Sequence, residues 1–264
     1  MAPVASPSLA PSEETAFHDL LGGPAAAPAR RARTAPRAER PRGPAPRVAG
    51  APTLDDATRL LRHHFGLQAL RPAQEQAVAT LLRGRALVSI QPTGSGKTFV
   101  YVLGGLCRGG LTLVVSPLIE LMHDQVGRLR DAGIPAAAIN ATNPPRANEE
   151  ALKAAEAGML RFLYVSPERL DSREFRERVG RLPVRLLAVD EAHCVSEWGH
   201  DFRPAYVRLG QHRAAFPEAQ VVALTATATP EVRDDIVRIL ALDAPVIQVA
   251  GFDRPNLHWS VRPV

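Results

Sequence analysis

Short apolar runs alternate with longer segments of helical periodicity along most of this chain. Most of the runs are continuously apolar, which is typical of strands that are covered on both faces. The predicted strands are ALVSI (86–90), LTLVVS (111–116), AAAIN (136–140), RFLYV (161–165), RLLAV (185–189), QVVAL (220–224) and VIQV (246–249). The run AAAIN is the least typical, because alanine disfavours strands. Since helix-length segments separate the runs, the pattern predicts an α/β fold with a mostly parallel sheet of about seven strands flanked by helices.

Two helices are predicted ahead of the first strand. Thr53 is a suitable N-cap for LDDATRLLRHHF, and Gly66 follows as a stop signal. Pro72 then stands at the start of a second helical segment, where its missing N–H costs nothing. The apolar face of the first helix is predicted to comprise Leu54, Leu60, Leu61, His64 and Phe65.

Residues 1–53 differ in composition from the rest of the chain. They hold ten of the 24 prolines, carry seven arginines against four acids, and lack apolar periodicity. Such a segment buries too little apolar surface to offset its ordering entropy. We therefore predict a disordered Pro/Ala/Arg-rich tail, 1–53, and one domain, 54–264. The net charge is +5, of which the tail supplies 7 − 4 = +3, so charge alone is weak evidence that the domain binds nucleic acid.

Cysteine usage and hydropathy restrict the location of the protein. The two cysteines, Cys107 and Cys194, lie far apart in no CxxC pattern, which indicates neither a disulfide framework nor a zinc cluster. No apolar run approaches the ~18 residues of a membrane span, and the N-terminus lacks a secretory pattern. We expect a cytoplasmic protein with no membrane partner, associated with the nucleoid if the source is a prokaryote.

The segment QPTGSGKT, residues 91–98, follows a predicted strand and precedes a helix, as a phosphate-binding loop requires. Its glycines allow backbone N–H groups to approach an anion, Lys97 can reach the β- and γ-phosphates, and the Thr98 hydroxyl can bind Mg²⁺. Gln91 stands where the strict pattern has its first glycine. A simple glycine turn would explain the glycines but not the lysine and threonine after them.

The strand RLLAV is followed directly by Asp190 and Glu191. Asp190 is predicted to hold Mg²⁺ through Thr98 or water, and Glu191 to orient and deprotonate an attacking water. Alone, these acids could simply end a strand. Together with the loop at 91–98 they indicate nucleotide hydrolysis.

Aromatic and charged residues are interleaved just beyond these acids. Trp198 and Phe202 alternate with His200, Asp201 and Arg203, a mixture that suits flexible single-stranded nucleic acid. Ordinary packing under the loop is the alternative, and it carries more weight for Phe202 than for Trp198. Further on, ALTATAT (223–229) places threonine hydroxyls near another strand end, and its last threonine also suits helix capping before a proline.

Five longer segments complete the pattern: FGLQALRPAQ (65–74), SPLIELMHDQV (116–126), YVSPERL (164–170), EAHCVSEWGHDFRPAY (191–206) and FDRPN (252–256). Together they closely resemble the first RecA-like motor domain of RecQ-family DNA helicases, within superfamily 2. The resemblance runs from about Leu60 to Asn256. Because GSGKT and DEAH occur in many other ATPases and helicases, the five segments carry the family assignment.

The resemblance implies ATP and Mg²⁺ as cofactors, single-stranded and duplex DNA as partners, and a role for each matching residue. The phosphate-binding set would be Thr93, Gly94, Ser95, Gly96, Lys97 and Thr98, and the catalytic set Lys97, Asp190 and Glu191. Adenine would be recognised by Arg71 and Gln74. Single-stranded DNA would be sensed by Trp198, His200, Phe202 and Arg203, while Ser116, Thr225 and Thr227 would contact the DNA backbone or relay the nucleotide state.

The chain departs from the family pattern at four positions. Ala73 replaces a usual glycine at a helix start, and Ser95 and Thr98 stand where many members have glycine and serine. Thr98 keeps the hydroxyl that a metal needs. Glu120 occupies a position that is more often serine, and an acid beside a DNA phosphate would weaken the contact at that segment.

In the family, a second RecA-like domain follows and supplies arginine fingers, which contribute ~10³ to 10⁵ to the rate of phosphoryl transfer. That domain is expected but absent from these 264 residues. The resemblance thus implies the first motor half of an ATP-dependent 3′-to-5′ DNA helicase, weakly active or inactive alone. One alternative is a non-catalytic ATP- and DNA-binding regulatory module. Another is an RNA helicase, against which WGHDFRP and FDRPN argue.

Overall fold

The fold is described by a computed structural model, which covers residues 48, 50–199, 201–251 and 260. Most of the predicted tail, His200 and the segment FDRPN lie outside the described residues. In chain order the α-helices are α1 (Leu54–Phe65), α2 (Pro72–Leu82), α3 (Thr98–Arg108), α4 (Ile119–Asp131), α5 (Pro145–Glu156), α6 (Arg173–Gly180), α7 (Pro204–Val207), α8 (Leu209–His212) and α9 (Pro230–Ile239). The strands are β1 (Leu87–Ile90), β2 (Leu111–Val115), β3 (Ala136–Ile139), β4 (Phe162–Val165), β5 (Val184–Val189), β6 (Gln220–Thr225) and β7 (Val246–Val249).

All seven predicted strands are present, and they form one sheet in the order β3-β4-β2-β5-β6-β1-β7. Every pairing is parallel. In the centre of the sheet, Val189 of β5 pairs with Val115 of β2 on one side and with Ala223 of β6 on the other. Because the strands are parallel, their carboxyl ends meet at one edge of the sheet, where ligands of open α/β sheets bind.

Apolar clusters cover both faces of the sheet, which explains the continuous apolar runs. Successive strand residues alternate between the two clusters, since Leu113 and Leu187 belong to one while Val114 and Ala188 belong to the other. The four residues of β3 are also buried, so its alanines are accommodated by pairing with β4 and by packing rather than by strand propensity.

Helix α1 begins and ends where the sequence predicts, and α2 begins where the sequence predicts. Thr53 and Asp56 form a reciprocal capping box at the start of α1, and Gly66 ends the helix with a left-handed φ of 70°. Pro72 is the first residue of α2. The two helices pack with α3 around a third apolar cluster that includes Leu60, Leu61 and Val78.

Within the described residues, no helix combines the length and apolarity that crossing a membrane demands. The same residues contain no group of three or more His, Cys, Asp or Glu side chains that could hold a metal ion. Cys107 and Cys194 are both buried free thiols, and burial raises the pKa of each to about 12.

Candidate nucleotide-binding site and coupling loop

Four adjacent strands bring the predicted site together. The central order β2-β5-β6-β1 places the segments after those strands side by side at the carboxyl edge of the sheet. Ser116 follows β2, Asp190 follows β5, Thr225 ends β6, and the loop 91–98 follows β1. Residues up to 134 positions apart in sequence are thus neighbours for one geometric reason, which is the parallel order of the strands.

The loop 91–98 has the conformation that its glycines permit. Gly94 and Gly96 adopt φ values of 79° and 83°, a region that side-chain-bearing residues rarely occupy. The Lys97 ammonium donates to the Gln91 carbonyl at 3.0 Å and lies 3.5 Å from the Pro92 carbonyl. Burial lowers the pKa of Lys97, while Glu191 and Asp190 oppose that shift, so the ammonium lies within the field of both acids.

Gln91 fills the position of the missing glycine and has a structural role of its own. Its side chain is fully buried and donates to the Ser89 hydroxyl at 2.9 Å, while its backbone carbonyl accepts from Lys97. Ser89 in turn donates to Gln248 of β7 at 2.9 Å. The departure from the strict pattern therefore anchors the start of the loop to β1 and β7.

Arg71 and Gln74, at the start of α2, are bonded to the loop. Arg71 donates to the Gly94 carbonyl at 3.0 Å. The buried Gln74 amide donates to the carbonyls of Ser95 and Gly96 at 2.8 and 3.2 Å, and its oxygen accepts from the Arg71 backbone N–H at 2.9 Å. A side chain at Gly96 would collide with the Gln74 amide, which gives this glycine a second requirement besides its φ.

Thr98, the first residue of α3, contacts a residue that the sequence did not single out. Its hydroxyl accepts a hydrogen bond from the Gln125 amide of α4 at 3.0 Å. Gln125 is 9 % exposed and lies in SPLIELMHDQV, one of the segments that carry the resemblance to the helicase family. Its position three residues after the buried Met122 and four before the buried Leu129 is the sequence signal that it faces inward.

Asp190 and Thr98 present the oxygen ligands that Mg²⁺ prefers, a carboxylate and a hydroxyl. Burial raises the pKa of Asp190 to about 6, the neighbouring Glu191 adds to the rise, and Lys97 partly opposes it. A desolvated carboxylate of this kind is stabilised as an anion by a nearby cation. The donor set and its electrostatics therefore fit a bound Mg²⁺.

Glu191 turns the chain sharply at the end of β5. It has φ 47° and ψ 47°, a conformation that costs a non-glycine residue free energy, and its backbone N–H donates to the Asp190 carboxylate at 3.0 Å. Its own carboxylate lies 3.3 Å from His193 Nδ1. The same His193 nitrogen lies 2.7 Å from the Thr225 hydroxyl, which donates to the Thr227 carbonyl at 3.1 Å. A continuous polar path therefore joins the acid to the end of β6.

The loop after this turn presents its aromatic residues to solvent. Trp198 is 79 % exposed and is not a core residue, whereas Phe202, at 37 % exposed, is partly buried. The loop is fixed from beneath, because the Ser196 hydroxyl donates to the Asp235 carboxylate of α9 at 2.6 Å and accepts from the Trp198 backbone N–H at 3.2 Å. Ser196 and Asp235 were not singled out in the sequence.

Arg203 connects this loop to the segment after β2. Its guanidinium donates to the Pro117 carbonyl at 3.0 Å and forms an ion pair with Asp201 at 3.3 Å. Tyr206 donates to the Asp190 carbonyl at 2.9 Å, which ties the end of the loop to the acidic strand end. The side chains of Arg203 and Tyr206 therefore join the aromatic loop to the segment after β2 and to the acidic end of β5.

The predicted serine and threonine residues differ in how far they are buried. Ser116 is 2 % exposed, and its hydroxyl has no hydrogen-bond partner among the described residues. Thr225 is fully buried, whereas Thr227 and Thr93 are exposed. Thr229 caps α9 by accepting from the Val232 backbone N–H at 3.4 Å, as the capping interpretation predicts. His200 lies outside the described residues.

A parallel sheet with a glycine loop, a lysine and two acids at its carboxyl edge defines a P-loop domain of the RecA-like type. Residues 71–236 match the DEAD/DEAH box helicase family, and the chain belongs to that family. It is 41 % identical over 210 residues to "ATP-dependent DNA helicase RecQ" of Pasteurella multocida, and 42 % identical over 210 residues to the protein of that name in Bacillus subtilis. These similarities confirm the expected RecQ-type motor domain.

The similarity covers most of this chain but a minor part of each relative. The alignment spans 80 % of this chain and 33 % of the Pasteurella protein, and 79 % and 36 % for the Bacillus protein. The chain thus matches about a third of the length of these relatives.

Solved structures support the fold alone. A hypothetical ATP-dependent RNA helicase from Sulfolobus tokodaii superposes with a TM-score of 0.58 at 21 % identity, covering 75 % of this chain and 56 % of that one. The Hef helicase domain of Pyrococcus furiosus gives a TM-score of 0.56 at 23 % identity, covering 70 % and 39 %.

Proposed function

We propose that this chain binds and hydrolyses ATP as the first motor domain of a RecQ-type 3′-to-5′ DNA helicase, coupling hydrolysis to translocation on single-stranded DNA and to duplex unwinding. The observation that carries the proposal is the convergence of Lys97, Asp190 and Glu191 at the carboxyl ends of β1 and β5, the two strands that flank β6. His193 joins the acidic end to the end of β6. A purely structural loop has no need of all three charged groups together.

In this proposal the loop holds the phosphates of ATP. The backbone amides of Thr93, Gly94, Ser95 and Gly96 and the ammonium of Lys97 surround the β- and γ-phosphates. Thr98 and Asp190 hold Mg²⁺, which when bound neutralises charge on the phosphate oxygens. Glu191 orients the attacking water and takes its proton.

Adenine recognition falls to the start of α2. Arg71 and Gln74 hydrogen-bond carbonyls of the phosphate-binding loop. A base held by these side chains would therefore lie next to that loop. Because the same side chains bond the loop and the base, nucleotide identity and loop conformation are linked.

DNA contact falls to the exposed aromatic loop. Trp198 and Phe202 offer surfaces on which bases can stack, and His200 and Arg203 supply donors for phosphates. Ser116 and Thr225 are buried, which favours the relay of nucleotide state over direct contact with DNA, while the exposed Thr227 suits either role.

The motor domain is proposed to span 54–264 and the tail 1–53 to lie outside it. A second RecA-like domain would supply the arginine fingers, so we expect hydrolysis by these 264 residues alone to be slow. We place the protein in the cytoplasm, at the nucleoid in a prokaryote.

The proposal is tested by measuring ATP binding and hydrolysis with single-stranded DNA, with single-stranded RNA and without nucleic acid. We expect ATP binding that Lys97→Ala abolishes, and slow hydrolysis that DNA stimulates more than RNA and that Glu191→Gln removes. Absence of ATP binding would overturn the proposal. Binding without any hydrolysis attributable to Glu191, even with a second motor domain supplied, would favour the non-catalytic regulatory module instead.

A further inference from the structure

Buried polar side chains lie on the elements that follow the phosphate-binding loop. Thr98 accepts from the Gln125 amide at 3.0 Å, and Tyr101 lies one turn further along α3. The Tyr101 hydroxyl lies 3.1 Å from that of Tyr164 on β4, and both tyrosines are 1 % exposed. Neither the loop motif nor the acidic strand end accounts for these buried polar side chains.

The hydrogen bonds determine how the Thr98 hydroxyl points. A hydroxyl has one hydrogen and two lone pairs, and an amide N–H can only donate. The Gln125 amide therefore occupies one lone pair of the Thr98 oxygen, and the hydroxyl hydrogen points away from Gln125. One lone pair remains for a cation. Without Gln125 the hydroxyl could rotate and offer that lone pair less often.

Gln125 also lies on a route from the aromatic loop. Arg203 donates to the Pro117 carbonyl, and Pro117 immediately precedes Leu118, the N-cap residue of α4. The Met122 backbone N–H bonds the Leu118 carbonyl at 3.0 Å, so the first turn of α4 is continuous with this anchor. Arg203 is therefore linked to the start of α4, the helix that carries Gln125.

We propose that Gln125 is a positioning residue that orients the Thr98 hydroxyl toward Mg²⁺ and makes this orientation depend on the aromatic loop through Arg203 and α4. The inference rests on the proposed function, because it assumes that Thr98 is a Mg²⁺ ligand. In this proposal Gln125 acts only through the Thr98 hydroxyl. Its effect is confined to the Mg²⁺-dependent part of nucleotide binding.

The test uses the full 264-residue chain and a fluorescent, non-hydrolysable ATP analogue, titrated in EDTA and at a series of Mg²⁺ concentrations. Gln125→Met preserves the size of the side chain and removes the donor. Thr98→Val removes the hydroxyl, and the double variant tests whether the two residues act together. Gln211→Leu, on the exposed surface of α8, is the matched control.

We expect Gln125→Met to raise the Mg²⁺ concentration for half-maximal binding about tenfold and to leave affinity in EDTA within about twofold, as for other residues that orient metal ligands. In the Thr98→Val background the same substitution should add nothing, since the two effects share one hydroxyl. An unchanged Mg²⁺ requirement, an equal loss in EDTA, or additive effects in the double variant would overturn the inference. If Gln125→Met does not fold, Gln125→Leu is measured in the same way.

Failure of the proposed function has a different signature. It would appear in the wild-type chain, as absence of nucleotide binding or as binding that Mg²⁺ does not affect, whereas failure of the present inference appears only in the comparison of variants. A second readout concerns the aromatic loop. Lysine cannot bond both the Pro117 carbonyl and Asp201 with one planar fork as Arg203 does, so Arg203→Lys should raise the Mg²⁺ requirement in the wild type but not in Gln125→Met.

Discussion

His193 Nδ1 lies 2.7 Å from the Thr225 hydroxyl, and both side chains are buried. Because the Thr225 hydroxyl donates its proton to the Thr227 carbonyl, the imidazole N–H is assigned as the donor to Thr225. His193 also lies 3.3 Å from the Glu191 carboxylate. One imidazole therefore connects the proposed general base to the last residue of β6.

Thr225→Val should break this connection while preserving shape. It removes the nearer acceptor of the buried imidazole N–H and leaves the Glu191 carboxylate at 3.3 Å, so we expect the unfolding free energy to fall by about 1 kcal/mol. We expect nucleotide affinity to be kept and DNA stimulation of hydrolysis to fall. Urea unfolding and ATPase assays measure the two effects, and Thr225→Ser, which retains the hydroxyl, should resemble the wild type. Equal behaviour of the valine and serine variants would contradict the role of this hydrogen bond.

Gly96→Ala should impair adenine selection, and Gly94→Ala should not. Both glycines have a positive φ, so each alanine costs about 1–2 kcal/mol of backbone strain. Only at Gly96 would the new methyl group displace the Gln74 amide, because nothing lies within 4 Å of the corresponding position at Gly94. Competition of ATP and GTP for the bound analogue is the measurement. If both variants lose the preference for ATP over GTP, or if neither does, the contact between residue 96 and Gln74 is not what determines that preference.

The sequence predicts the sheet well because strands that are buried on both faces appear in it as continuous apolar runs. It also predicts the start of α1, since Thr53 and Asp56 form a local capping box. Even β3 is correctly predicted from AAAIN, although its alanines are stabilised by the neighbouring strand rather than by propensity.

The contacts that connect the site could not be predicted in the same way. Ser196 and Asp235 are 39 residues apart, and Gln125 and Thr98 are 27 residues apart. A hydrogen bond between side chains on different elements depends on how those elements pack, which periodicity does not encode. Similarly, Ser116 lies at a strand end as predicted, but its nearly complete burial follows from the elements packed over it.

Asp190→Asn should change the pH dependence of stability. The pKa of Asp190 is about 6 in the folded chain against 3.8 for the ordinary group, so the folded state disfavours the ionised carboxyl. The stabilisation from this raised pKa is complete below pH 3.8 and is lost as the pH rises through 6. Relative to the wild type, Asp190→Asn should therefore gain up to about 3 kcal/mol between pH 4 and pH 7.5.

Urea unfolding of both proteins in EDTA at pH 4, 5, 6 and 7.5 measures this gain. Taking the difference between variant and wild type removes the titration of the other groups. Added Mg²⁺ should reduce the advantage of the variant at pH 7.5, because the cation stabilises the carboxylate. A difference that does not vary with pH would mean that burial does not perturb this carboxyl.

Trp198→Ala should weaken binding to single-stranded DNA without destabilising the fold. The side chain is 79 % exposed, so its removal should change the unfolding free energy by less than about 0.5 kcal/mol. Stacking on a base is worth about 1–3 kcal/mol, which corresponds to a loss of roughly 5- to 150-fold in affinity. Fluorescence anisotropy with an oligothymidylate at fixed salt measures this loss. Met159→Ala, which removes another exposed apolar side chain at 61 % exposure, is the control and should bind DNA as the wild type does.

Phe202→Ala separates stacking from packing within the same loop. Because Phe202 is 37 % exposed, part of the ring is buried, and its truncation should lower both DNA affinity and unfolding free energy.

Ser196→Ala should loosen the loop without touching either ring, since it removes the bond to Asp235 and the acceptor for the Trp198 backbone N–H. If the loop binds DNA as a preorganised surface, this variant should lose DNA affinity while both aromatic side chains remain. Full DNA affinity in Ser196→Ala would instead mean that the rings bind bases independently of how the loop is held.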